Sequence, residues 1–498
     1  MKNKKITRRD FVKTTGTVVL GSGVMVGCGG GSVKNKPITA PEPDKPTDPV
    51  TPPQEPDNNN PATPGDQISI NAADKALVFI MLDGGNDSFN MLVPTSTAAY
   101  NEYKASRGGL SLTKESLLAL NGFTDTNQKT FGLHQNLPKV QALFNQNKLA
   151  FVANVAPMIE RVTKAEFKAS SKPLPVGLMS HSDQFKHWQT SNPGERINRG
   201  WFGDFADVLQ KNKASSDISM NISLAGSNIM QNGKEVTEYA ITDKGSIGLA
   251  VKDPSITGPQ ADLNRELLNG FNKILESQPS SAFQESYIGA TRNSQAQHEK
   301  FLAATKDITI NTGFADTDLS RQLKMVAKSI KAAPQLGMRQ QTFFIRYIGW
   351  DHHDELLKKH GSMLKILDDA LGSFQQALDE LGVADKVVTF TGSDFGRTLT
   401  SNGNGTDHAW GGNTLVMGND VDGGKVFGEY PALSLGDANP LDAGDGVLIP
   451  TTATDELYAE LALWFGVQKG DLGKLFPNLK NFYAFDTEAD NPLGLIKT

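Results

Sequence analysis

The chain has 498 residues, 38% of them apolar and 21% charged, with a formal net charge of −6 and a single cysteine. That length is enough for a large core, against a usual domain of roughly 100–200 residues. One cysteine excludes an intrachain disulfide framework, a thiolate zinc site and an iron–sulfur cluster.

Residues 1–28 read as an export signal: a basic head (Lys2, Lys4, Lys5, Arg8, Arg9), a short apolar-to-small segment from Thr14 to Gly27, then Cys28. The apolar segment is shorter than the roughly 20 residues a membrane-spanning helix needs. Arg8-Arg9-Asp10-Phe11-Val12-Lys13 resembles the twin-arginine signal, whose machinery exports folded proteins. Val26-Gly27-Cys28 resembles a lipobox, which makes Cys28 a lipidated first residue and the membrane a partner through that lipid. The expected location is the periplasm, or the outer membrane or cell surface as a lipoprotein. Residues 1–28 carry a net +5, so the whole chain's −6 becomes −11 without them. A polyanion of that size argues against non-specific binding of nucleic acid.

Residues 29–70 hold 10 of the 25 prolines and almost no large apolar residue. Such a segment has too little to bury to offset its ordering entropy, and it reads as a disordered, semi-rigid linker. From 71 to 498 apolar runs alternate with helical stretches, the pattern of an α/β domain. Ala76 to Leu82 reads as a buried strand that ends in Asp83-Gly84-Gly85-Asn86-Asp87. A helix over Leu137 to Asn147, strands over Leu149 to Val155 and Thr342 to Ile348, a helix over Leu356 to Leu381 and a strand over Lys386 to Thr391 follow. The stretch 204–339, polar and irregular with helical candidates at Ala261 to Ser277 and Asp318 to Ala333, reads as a largely helical insertion or cap.

Gly-x-Ser-x-Gly, His-Glu-x-x-His and Gly-Lys-Ser/Thr motifs are absent from the sequence, against serine α/β-hydrolases, zincins and P-loop enzymes. What stands at the strand ends is Asp and His. Asp351 and His353 alternate in Gly349-Trp350-Asp351-His352-His353-Asp354, so an extended segment presents both on one side. Asp394 and Arg397 follow the next strand, Arg397 as a clamp for an oxyanion, and His408 sits in a glycine-rich turn. Carboxylates and imidazoles suit a divalent metal and not a soft thiolate site. Asp83 and Asp87 flank a turn, and Ser180 precedes a helical stretch, either as a cap or as a nucleophile at an anion-binding helix end.

In this order these motifs resemble the bacterial family catalogued as domain of unknown function 1501. The matching features are the twin-arginine start, Gly84-Gly85-Asn86-Asp87, Gly132-Leu133-His134, Ser180-His181, Trp350-Asp351-x-His353, Ser393-Asp394-Phe395-Gly396-Arg397 and Gly405-Thr406-Asp407-His408. That family is similar to the alkaline phosphatase and sulfatase superfamily. The resemblance implies a three-layer α/β/α sandwich of the alkaline phosphatase-like type. It also implies one or two divalent metal ions, zinc or magnesium, manganese or calcium. By motif, Asp351, His353 and His408 would form one metal site, and Asp83 or Asp87 with Asp394 and the nucleophile Ser180 the other. Arg397 or Asn86 would hold a transferring phosphoryl or sulfuryl group. Phe395 stands where the superfamily usually has a second-site histidine, which weakens, alters or removes the second metal. The expected function is a metal-dependent hydrolase of phosphate or sulfate esters on small molecules or polymers. The alternative is a binding or envelope-assembly lipoprotein that keeps the fold.

Overall fold

A computed structural model describes residues 68–497 except 121–128, 212, 213, 215, 216, 250–255, 486, 488 and 489. The signal-like segment 1–28 and all but the last residues of the linker 29–70 lie outside the described residues. The strands that organise the rest are β1 (Lys75–Asp83), β2 (Leu149–Ala156), β3 (Asn221–Ser223), β4 (Tyr239–Thr242), β5 (Gln340–Ile348), β6 (Val387–Ser393) and β7 (Gly412–Met417). The main helices are α1 (Thr97–Arg107), α2 (Pro138–Asn145), α3 (His181–Thr190), α4 (Trp201–Leu209), α5 (Pro259–Glu276), α6 (Ala282–Thr305), α7 (Asp318–Lys331), α8 (Leu356–Leu381) and α9 (Thr454–Phe465).

The strands run β2-β7-β6-β1-β5-β3-β4 across one sheet, with short strands at both edges. β1 lies parallel to both β5 and β6, and β7 is antiparallel to its two neighbours. Alternate residues of β1 serve opposite cores. Ala76, Val78, Ile80 and Leu82 pack with the apolar stripes of α2, α7 and α8, while Leu77, Phe79 and Met81 pack with Trp201, Phe202 and Phe205 of α4 and with α9. Both faces of the sheet are therefore covered, which is why the central strand is apolar at every position from Ala76 to Leu82 instead of alternating. The result is the three-layer α/β/α arrangement expected from the sequence.

The stretch 204–339 needs correcting as a helical insertion. Asp204 already lies inside α4, β3 joins the sheet beside β5, and α7 contributes Leu319, Leu323 and Val326 to the core. A three-residue strand carries too little periodicity to be seen in a sequence. The helices α5 and α6 remain as the exposed part, burying only Asn264 and Leu275 in the first and Ile288, Phe301 and Thr305 in the second. Among the described residues, no helix is long and apolar enough to cross a membrane.

Candidate metal centre

β1, β5 and β6 end level with one another: Asp83 is in register with Ile348, and Leu82 with Ser393. The loops that leave them meet at the carboxyl end of the sheet, where open α/β folds place their sites. Two glycines permit the meeting. Gly84 has φ +127°, and a Cβ there would stand 2.5 Å from the backbone nitrogen of Asp351; Gly85 has φ +89°, and its Cβ would stand 2.6 Å from the Phe395 ring. The Asp83 carbonyl then accepts from the N–H groups of both Gly349 and Trp350 at 3.1 Å. On the other side, Gly396 and the turn before β7 exchange backbone hydrogen bonds, Gly396 N–H to Trp410 and Ala409 N–H to Gly396, each 2.9 Å, and so bring His408 alongside.

Three imidazoles surround Asp351. His353 Nε2 is 3.0 Å and His408 Nε2 3.4 Å from Asp351 Oδ1, and His181 Nε2 is 3.4 Å from Oδ2. Candidate ligand atoms of His181, Asp351 and His408 all lie within 4.8 Å of one another. Each ring spends its other nitrogen on an oxygen: His181 Nδ1 on Asp394 Oδ2 at 2.6 Å, His353 Nδ1 on Asp407 Oδ1 at 3.2 Å, and His408 Nδ1 on the Met179 carbonyl at 3.0 Å. A carbonyl or carboxylate only accepts, so these contacts put a proton on Nδ1 of each ring, and the Nε2 atoms, which face the Asp351 carboxylate, donate to it while protonated and offer a lone pair to a cation once deprotonated. Metal-binding histidines are held by second contacts of this kind. The His353 and His408 Nε2 atoms stand 3.1 Å apart. Two lone pairs at that separation repel unless they share a proton or a cation.

The local field agrees with a cation site. Burial by itself would raise the Asp351 carboxyl, but hydrogen bonds from His181, His408 and Arg397 outweigh it and hold it well below the usual carboxylate range. His181 is raised to about 9 by its hydrogen bonds to Asp351 and then Asp394, against the opposing effect of burial. The Asp351 side chain is 42% exposed, so the cluster opens to solvent. Phe395, itself buried, closes one wall, with its ring centroid 4.7 Å from that of His181 and 4.4 Å from that of His408.

Of the residues nominated from sequence, the structure thus brings Asp351, His353 and His408 together. His181 joins them, although the sequence reading passed over it in favour of its neighbour Ser180. Its signal was its place in Ser180-His181-Ser182-Asp183, at the start of a helix that follows a turn. Asp394 stands behind His181 and not beside Asp351. The other nominations need correcting. Asp83 is held by Arg346, whose Nε donates to Oδ2 at 2.9 Å. Asp87 is fully buried in an ion pair with Arg107 and cannot reach the cluster. Asn86 is also buried, its Oδ1 accepting from His360 Nε2 at 2.9 Å and its Nδ2 donating to Met91 Sδ at 3.8 Å, so its amide is turned to the interior. Arg397 is buried and each of its three nitrogens is engaged: Nη1 donates to Asp351 Oδ1 at 2.8 Å, Nε to Thr406 Oγ1 at 3.1 Å and Nη2 to the Thr406 carbonyl. It buttresses Asp351 and is not a free clamp. Ser180 precedes α3, with its Oγ 3.2 Å from that of Ser182.

The family described as "Protein of unknown function (DUF1501)" matches residues 74–445. No curated protein matches the sequence. Among solved structures, the chain is similar to the lipoteichoic acid synthase LtaP from Listeria monocytogenes, with a TM-score of 0.29 at 10% identity over 78% of this chain and 80% of that one. It is also similar to a protein in the alkaline phosphatase superfamily from Vibrio parahaemolyticus (TM-score 0.26, 11% identity, 73% and 66% covered). A third is the C-terminal periplasmic domain of EcEptC from Escherichia coli, solved in complex with Zn (TM-score 0.28, 7% identity, 71% and 76% covered).

Proposed function

The chain belongs to the DUF1501 family, and from that premise we propose that it is an exported, surface-anchored, metal-dependent hydrolase of phosphate or sulfate esters. The observation that carries this reading is the set of three imidazole Nε2 atoms gathered around one carboxylate. His181, Asp351, His353 and His408 would hold the ion. Three nitrogen donors suit zinc better than magnesium or calcium, which take oxygen ligands. When bound, such an ion supplies the positive charge that acidifies a coordinated hydroxyl or water and offsets charge on an ester's oxygens.

The chain's own residues do the remaining work. Arg397 keeps Asp351 ionised and aimed, while Asp394, Asp407 and the Met179 carbonyl fix the three rings. Phe395 shields the ring faces of His181 and His408 from water on one side. Ser180, next to His181, is the proposed nucleophile. Asp83, Asp87 and Asp394, the carboxylates expected at a second ion, are each engaged elsewhere, which supports a single metal. The twin arginines and Cys28 support export through the twin-arginine machinery and lipid anchoring, with 29–70 as the tether.

A second reading, a binding or assembly lipoprotein on the same fold, is favoured by the Ser180 hydroxyl, which bonds to Ser182 and not into the cluster. Metal analysis of the purified chain and a panel of phosphate and sulfate esters separate the two. The hydrolase should bind about one zinc per chain, lose both metal and turnover in Asp351→Ala with His408→Ala, and lose only turnover in Ser180→Ala. Asp394→Asn should weaken metal binding about 10- to 100-fold through His181. Metal binding with no turnover anywhere on the panel supports the binding reading, and a chain that binds no metal overturns the hydrolase.

A further inference from the structure

The helix α5 carries two apolar stripes, one residue out of phase. Leu268, Phe271 and Leu275, continued by the buried Asn264, form the stripe its own chain covers in whole or part. One residue earlier, Leu263, Leu267, Gly270 and Ile274 are all exposed, the three large ones by 53%, 52% and 59%. Singly, exposed leucines need no explanation. These, however, fall at successive spacings of four, three and four residues, the spacing of a seam between paired helices. Gly270 in that seam removes the side chain that would keep two backbones apart.

The seam reads the same from either end. An antiparallel copy about a two-fold axis through its middle sets Leu263 against Ile274 of the second copy and Leu267 against Gly270 of the second copy, then repeats both contacts by symmetry. Charge follows the same symmetry. Glu266 and Lys273 are exposed and occupy equivalent positions along the outer edge of the seam, seven residues apart. In the antiparallel arrangement each meets its opposite on the second copy, giving two Glu–Lys pairs. A parallel arrangement would set Glu266 against neutral positions or its own kind. We infer that α5 is a homodimerisation surface which pairs antiparallel with α5 of a second copy of this chain.

The test is sedimentation equilibrium of the full chain, in wild type and in variants at exposed positions that leave the core untouched. Wild type should be a reversible dimer, and Leu267→Glu, with an unchanged far-UV circular dichroism spectrum, should weaken it about a hundredfold. Glu266→Lys and Lys273→Glu should each weaken it several-fold, and the two together should return it to within about threefold of wild type. A wild type that stays monomeric at about 100 µM, a dimer indifferent to Leu267→Glu, or a double reversal weaker than either single one overturns the pairing. Vesicles of phosphatidylethanolamine and phosphatidylglycerol that capture monomeric wild type but not Leu267→Glu would overturn it in favour of a lipid surface.

Discussion

At Asp351 one carboxylate receives three imidazoles and a guanidinium, and at Asp87 one carboxylate receives a single guanidinium out of reach of water. The two differ in what they can do, although both follow strands and both looked like ligands. Burial pushes the Asp87 carboxyl up in spite of Arg107 beside it, and both side chains are closed off from solvent. Arg107 also donates to the Thr398 carbonyl at 2.9 Å and ties the loop after β1 to the one after β6. Arg107→Met should cost about 3–5 kcal/mol, because it leaves a buried carboxylate unpaired. Replacing both partners by apolar residues should recover part of that. A urea midpoint at pH 7 that barely moves in the single variant would refute the assignment. Asp351 and His353 were legible because their loop follows β5 directly, and His408 because it stands in a glycine-rich turn, here the one before β7. The fate of Asp83 and Asp87 was not, since their arginines come from 263 and 20 residues away and nothing local announces them.

Among the elements, the two-sided strands were the easiest to read. β1 and β2 are buried on both faces and show as apolar runs, β5 and β6 mix polar residues among theirs, and the ends of all four matched expectation within two residues. α8 was legible over its full length from the stripe Leu364, Leu367, Leu371, Phe374 and Leu378. α6 and β3 were not: the first buries few residues, and the second is too short. The junction of loops at Gly84 is the element on which the site's geometry depends. Gly84→Ala would have to be accommodated at a left-handed φ and against the backbone of Asp351 and Trp350. It should cost about 2 kcal/mol or more and displace Asp351. The measurement is paired: the denaturation midpoint and the metal affinity should fall together. A variant with reduced stability but full metal affinity would show that the loop tolerates a side chain there.

On the scale of the whole molecule, the second core is where ionisation bears most directly on folding. Asp455, at the start of α9, accepts from Ser191 Oγ at 2.7 Å, its other oxygen is buried without a partner, and burial pushes its carboxyl up to about 7. An acid raised in the fold favours the protonated form, so its contribution is intact below the ordinary 3.8, declines across the interval to about 7, and stands as a penalty above it. Asp455→Asn keeps the acceptor for Ser191 and removes the charge. It should stabilise the protein at pH 8 and change little at pH 4, as urea titrations at the two values would show. Equal effects at both would mean the carboxylate is not desolvated in the native state.

The residues proposed to hold the ion come from the start of α3, the loop after β5 and the turn before β7, and their supports from the turn before α3, the loop after β6 and the turn before β7. The four residues are spread over more than two hundred positions and meet only in the folded chain. Occupancy and folding are therefore linked quantities: an ion that binds only the native state at a hundred times its dissociation constant adds about 2.7 kcal/mol to global stability. Thermal unfolding followed against free zinc would then report the affinity of the centre directly, before any substrate is known.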